Sequence, residues 1–258
     1  MCQMNNKMRQ KPSSLYHYTS VEALYKIVDV ENGKLSFHLC NPLQSNDRKE
    51  LAFFRDFLYE GKTGTDIEKR MKSLEKEIGN SYTLSLIHQR RAKEANHKIA
   101  MWEMYGNKSK GIKIRLDFND VKDYCNEQHI KLQLCKYHNS TEIRSIAQNE
   151  RLTIKKSDFD TYELERVYRD AVFYKDSEWI EENEWRMAVW SSASNVSLRP
   201  DGKSYIQIMM PIHCLKSIEI GPKADQAVVK QGLDILAQKI KQRYSIEVKI
   251  IKSKLPIR

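Results

Sequence analysis

Short segments of alternating apolar and polar residues outnumber the long helical stretches available to connect parallel strands, and that imbalance constrains the fold more than any other feature of the chain. The clearest follows Gly111, where Ile112, Ile114, Leu116 and Phe118 alternate with polar neighbours at the period of a half-buried strand. Extended segments are likewise expected at residues 15–19, 34–39, 82–87, 130–137, 171–175, 183–190, 204–210, 215–220 and 245–251. Helical patterns are fewer. One begins at Ser20, an N-cap residue ahead of Ala23, Leu24, Ile27 and Val28; others are expected after Asp47 through Leu58, over 65–78, over 99–105 up to Gly106, within 140–169 and over 224–244. The expected class is α+β, a mixed or antiparallel sheet with flanking helices.

The chain has 258 residues, 40% hydrophobic and 30% charged, with 9 Gly and 6 Pro, which is the composition of a folded globular protein. No Pro- or Gly-rich linker divides it, so one domain over 12–258 is expected behind a polar leader, 1–11. That leader lacks the apolar run of a signal peptide, and no segment approaches the roughly 20 apolar residues of a spanning helix. A cytoplasmic protein without a membrane partner is expected. Five scattered cysteines, without the close spacing of a zinc knuckle or redox dithiol, read as reduced thiols, and no metal site is expected. The formal charge of +10 favours polyanions such as RNA, DNA or nucleotides, although basic and acidic residues are interleaved as on an ordinary solvated surface.

No Walker loop, glycine-rich dinucleotide fingerprint or HExxH occurs, which removes the phosphate cradle or metal geometry that each supplies. Three other segments stand out. Leu15-Tyr16-His17-Tyr18-Thr19-Ser20 opens the chain, Met101-Trp102-Glu103-Met104-Tyr105-Gly106 lies near its middle, and Tyr174-Lys175, Trp179 and Glu182-Asn183-Glu184-Trp185-Arg186 follow. In order and spacing they resemble a widespread family of bacterial and phage proteins, first defined as a domain of unknown function, whose fold is similar to that of the ADP-ribosyltransferases. Two positions depart from its pattern: Arg48 follows Asn46-Asp47 where a proline is usual, and Leu86 stands beside Ser85 where an aromatic is usual.

The resemblance implies an ADP-ribosyltransferase-like fold and transfer of ADP-ribose from NAD, as substrate, to a macromolecular or nucleotide acceptor, or hydrolysis of NAD if water reaches the same centre. It implies a role as a toxin or phage-defence effector. By the family's His-Tyr-Glu pattern, His17 would hold a ribose hydroxyl. Tyr105, with Trp102 or Tyr18, would supply the aromatic element, and Glu184 would be the catalytic acid residue. Ser85 would touch nicotinamide or its ribose. An ionised carboxylate suits this chemistry because breaking the bond to nicotinamide develops oxocarbenium character.

Arg186, two residues beyond Glu184 on one strand face, suits either a pyrophosphate oxygen or Glu184 itself. Packing alternatives stand beside each assignment: His17 as a core histidine, Trp102 as a core anchor, Tyr105 as packing, Glu184 as an ion-pair partner with Glu182 the competing acid. Two other functions are also open, a non-catalytic nucleotide or nucleic-acid binding domain and a structural interaction protein.

Overall fold

The structure, a computed structural model, describes residues 12–44, 76, 79–89, 95–156, 166–167, 169–191 and 193–256. The expected helices between Asp47 and Leu58 and over 65–78 lie outside the described residues, apart from Lys76. β1 (Ser14–Thr19), α1 (Val21–Ile27), β2 (Val28–Asp29), β3 (Lys34–Cys40), β4 (Ser81–Ile87), α2 (Ala95–Tyr105) and β5 (Ile112–Asp117) come first. α3 (Phe118–Glu127), β6 (Lys131–Leu134), β7 (Lys136–His138), α4 (Ser140–Lys156), β8 (Tyr174–Asp176) and β9 (Glu184–Trp190) follow. The chain continues with β10 (Ser197–Leu198), β11 (Ser204–Pro211), β12 (Leu215–Ile220), α5 (Gln226–Tyr244) and β13 (Lys249–Lys252).

Among the described residues, 11 strands form one sheet along the path β10-β11-β3-β4-β1-β5-β12-β13, with β2 on β3, β9 on β4 and β6 on β9. Its pairings are antiparallel except β12–β13, joined in parallel through α5, so the sheet is mixed, with helices on both faces. This is the α+β class expected. Alternation along the strands dictates the layers. Leu15, Phe37, Leu86, Ile114 and Met187 point to one face, where α3 and α5 add Val121, Leu233 and Ile240 to the main core. On the other face α2 packs Met101 and Trp102 on Tyr18 and Ile87, and α4 packs Ile143 and Ala147 near Phe173 and Ala188.

Local expectations fail where a cap or a change of pairing partner overrides the periodic pattern. Phe118 begins a helix rather than ending a strand, because the Asp117 side chain accepts from Asn119 N at 2.9 Å and Asp120 N at 3.2 Å. The single strand expected over 130–137 is two: Cys135 N still donates to Glu184 O, but Lys136 N turns to Phe173 O, and β7 then pairs in parallel with β8. Residues 171–173 are not extended, and β8 starts only at Tyr174. Ser245, at φ 58°, caps α5 in the left-handed region, which delays the last strand to Lys249. No helix among the described residues is long and apolar enough to cross a membrane.

Candidate functional site

A cleft opens where the sheet forks. β9 pairs with β4 along its whole length, Ser81↔Trp190 through Ile87↔Glu184, so β3 and β1 must share the opposite edge. Each makes a single bridge there, Cys40↔Thr83 and Tyr16↔Ile87. Between those bridges β3 and β1 diverge, and Ser85 lies at the fork. The resulting cavity, about 610 Å³, is bounded by β1, β3 and β4, by α1 with Lys26 and Ile27, and by the segment carrying Arg199 and Tyr205. That volume suits a nucleotide-sized ligand.

His17 enters the cleft from β1 and meets Phe37 edge-on, with centroids 5.4 Å apart. Its Nδ1 lies 3.4 Å from the carbonyl oxygen of Ser85. A carbonyl only accepts, so this contact keeps the proton on Nδ1 and leaves Nε2 as an acceptor. Burial lowers the His17 pKa below the ordinary imidazole value, only partly offset by the Ser85 carbonyl, so the ring is neutral at pH 7. Across the cleft His38 and Tyr205 stack at 3.9 Å with planes 24° apart, brought together by the β3–β11 register. Burial, then the charge of Arg199, lowers the His38 pKa as well.

Behind Ser85 lies a cluster of buried charge. Glu184, 2% exposed, accepts from Ser85 Oγ at 2.5 Å, Arg186 Nε at 2.6 Å, Lys175 Nζ at 2.8 Å and an Arg186 Nη at 3.0 Å. Lys175 also donates to Glu182, and Glu182 accepts from the Tyr105 hydroxyl at 2.5 Å. Burial alone would raise the Glu184 pKa, but the charges of Arg186 and then Lys175 outweigh it and hold the carboxyl well below the usual range. Among the described residues the buried carboxylates Glu182 and Glu184 are thus paired with the cations Lys175 and Arg186, as burial requires. Tyr137 completes the shell, its hydroxyl accepting from Glu184 N at 2.8 Å. The left-handed Asn183 at φ 45° turns the chain from a 3₁₀ turn into β9.

Of the residues singled out in the sequence, His17 and Ser85 line the cleft. Glu184 and Arg186 share a strand face as expected, and the register Tyr16↔Ile87↔Glu184 puts that face on the side of β1 opposite His17; among the described residues Glu184 meets the lining of the cleft through the Ser85 hydroxyl. Arg186 is committed to Glu184 and, at 2.5 Å, to the carbonyl of Val172; it does not face the cavity as a phosphate ligand. Alternation puts Tyr18 on the face of β1 opposite His17, where it meets Trp102 edge-on at 5.1 Å. Trp102 is 1% exposed and packs as a core anchor, whereas Tyr105, 40% exposed, reaches Glu182. These three aromatics therefore do not line the His17 cleft.

Lys175, Tyr137, His38 and Tyr205 had no role assigned from sequence. Lys175 follows Tyr174 in the segment that ends at Arg186, where a lysine near two acids is the available signal. Nothing in sequence announced that His38 and Tyr205 would be neighbours. Cys125 and Cys214 are buried thiols with pKa values pushed up to about 12 by burial, while Cys40 lines the cleft.

A family model described as "Protein of unknown function (DUF2971)" matches residues 101–187, a stretch that carries Trp102, Tyr105, Lys175, Glu182, Glu184 and Arg186 but neither His17 nor Ser85. No curated protein matches the chain. Two solved structures of DarT from Thermus sp. 2.9 are similar at 12% identity. The one in complex with ADP-ribosylated ssDNA has a TM-score of 0.34, with 93% of this chain and 94% of that chain covered. The one in complex with NAD+ has a TM-score of 0.35, with 93% and 96% covered. At that identity and score neither assigns a residue or a ligand to this chain.

Proposed function

We propose that the forked cleft binds NAD and that the protein transfers its ADP-ribose group to an acceptor. The observation that carries this reading is the convergence on Ser85: its carbonyl meets His17 Nδ1 and its hydroxyl donates to Glu184. In the proposed complex a hydroxyl of the nicotinamide ribose donates to His17 Nε2. The His38–Tyr205 pair offers an aromatic platform, and Lys26 and Arg199 at the cleft margin meet the pyrophosphate. The bond from nicotinamide N1 to ribose C1′ breaks with its electron pair leaving on nicotinamide. An acceptor oxygen then bonds to C1′ and releases its proton to solvent water. With water as acceptor, the same step yields free ADP-ribose.

Glu184 acts here as a positioning residue. Its charge polarises the Ser85 hydroxyl, turning that oxygen's lone pairs toward developing positive charge at C1′. A second reading, nucleotide binding without turnover, is favoured by the same carboxylate's burial and by its four donors, which leave it little basicity. Nicotinamide release from NAD separates the two readings. Turnover by the intact protein, reduced at least tenfold in Ser85→Ala and in His17→Ala with folding preserved, supports transfer. NAD binding without release supports the second reading, and absence of both binding and release removes the NAD assignment.

A further inference from the structure

A second cavity lies on the opposite face of β1. Tyr16 points away from His17 by the alternation of the strand and, with Trp102, Lys113, Ser217 and Glu219, lines a space of about 440 Å³ closed by the chain beyond β13. Two cations, Arg115 and Lys254, stand at its wall; Lys252 also borders it, but its register with Ile220 turns its side chain toward the α5 face. Arg115 and Lys254 are both exposed, and neither has a carboxylate partner among the described residues. Arg115 is instead oriented through its Nε by the Ser14 hydroxyl at 2.8 Å. Other surface cations nearby in the fold are paired, as Lys216 with Asp120 and Lys223 with Glu103.

Lys113 sits deeper, with its Nζ 2.6 Å from Glu219 and 5.1 Å from the centroid of the Tyr16 ring. The cavity thus combines a cationic rim with no carboxylate partner among the described residues, an aromatic wall, and one carboxylate whose charge is matched by Lys113. A bare anion would use only the rim. A ligand that also carries hydroxyl donors and a planar ring uses every part: phosphate at the rim, ribose hydroxyls at Glu219, base along Tyr16.

We propose that this cavity binds a nucleoside phosphate, separately from the NAD reading of the His17 cleft. Its source is a free nucleotide or one unit of a single-stranded nucleic acid. Fluorescently labelled AMP and a labelled single-stranded oligonucleotide are titrated into the protein and followed by anisotropy. The comparison is with Arg115→Gln/Lys254→Gln and with a control of equal charge, Lys239→Gln/Lys241→Gln, on exposed positions of α5. Two contacts to successive phosphates of a single strand weaken binding about 7-fold between about 50 and 200 mM salt, a steep dependence that becomes shallow when both cations are removed.

The expected result is that steep dependence for the intact protein and the control, and the shallow one for the rim variant. Tight AMP binding that depends on the rim identifies a free nucleotide as sufficient, and binding of the strand alone identifies the polymer. If both double variants behave alike, or neither probe binds, the proposal is overturned. Nicotinamide release from NAD stays at the intact level in Arg115→Gln/Lys254→Gln, so the outcome of this titration is independent of NAD turnover.

Discussion

Replacing Lys175 with Met tests the buried charge cluster behind the cleft. Lys175 Nζ is shared by Glu182 and Glu184, and all three side chains are 8% exposed or less. Removing the cation leaves two carboxylates with Arg186 as the remaining charged partner among the described residues. Breaking a buried pair by deleting one member costs about 3–5 kcal/mol. At about 2–4 °C per kcal/mol for a chain of this size, the melting temperature should fall by about 6–20 °C.

The pH dependence gives a second readout. In the intact protein the depressed Glu184 pKa contributes stability that is present above the ordinary carboxylate range and lost as pH falls through the folded value. Without Lys175 a carboxyl in the folded cluster takes up a proton more readily than in the unfolded chain. The deficit should therefore be largest near pH 8 and shrink toward pH 5. Adding Glu182→Gln should recover part of it, a coupling that a double-mutant cycle measures. Urea denaturation at both pH values is the assay. A loss under about 1 kcal/mol, or a loss that grows as pH falls, would refute the shared-cation account.

His17, neutral through burial, opposes protonation of the fold, so its contribution is fully present above about pH 6.5 and declines as pH falls. His17→Gln should flatten the loss of stability between about pH 6.5 and 5, seen in thermal melts across that range. Gly111→Ala should prevent folding or lower the melting temperature severely, because its Cβ would lie 2.2 Å from Thr19 O and 2.9 Å from Gly106 O, both backbone atoms that cannot swing aside; circular dichroism is sufficient to check. Trp102→Ala should cost about 3–5 kcal/mol for an almost fully buried ring, whereas Tyr105→Phe, losing only its bond to Glu182, should cost about 1–3 kcal/mol. Denaturant titration distinguishes the two.

Strand positions were readable where alternation was long and punctuated, as at β5, β9 and β12, and the Ser20 cap marked α1 because its side chain meets Ala23 N. The face shared by Glu184 and Arg186 followed from period two alone. What failed depended on partners distant in sequence. No local pattern shows that Cys135 is the point where the chain passes from β9 to β8, or that Tyr105 would turn to Glu182. The cleft itself was hidden for the same reason: it exists because β4 shares one edge between two strands, a property of pairing that no single segment carries.

That origin makes Ser85 the position where stability and chemistry can be separated. Its hydroxyl is one of four donors to Glu184, and the others come from Arg186 and Lys175, so Ser85→Ala leaves the carboxylate ionised and held. The serine is exposed, no large cavity is created, and the expected cost is only about 1 kcal/mol. Glu184→Gln, by contrast, removes the charge that balances two buried cations and confounds folding with function. A Ser85→Ala protein that melts within a few degrees of the intact one yet releases nicotinamide at least tenfold more slowly would tie turnover to the hydroxyl. Unchanged release would remove Glu184 from the proposed mechanism, in which the serine hydroxyl is the contact that carries its charge to NAD.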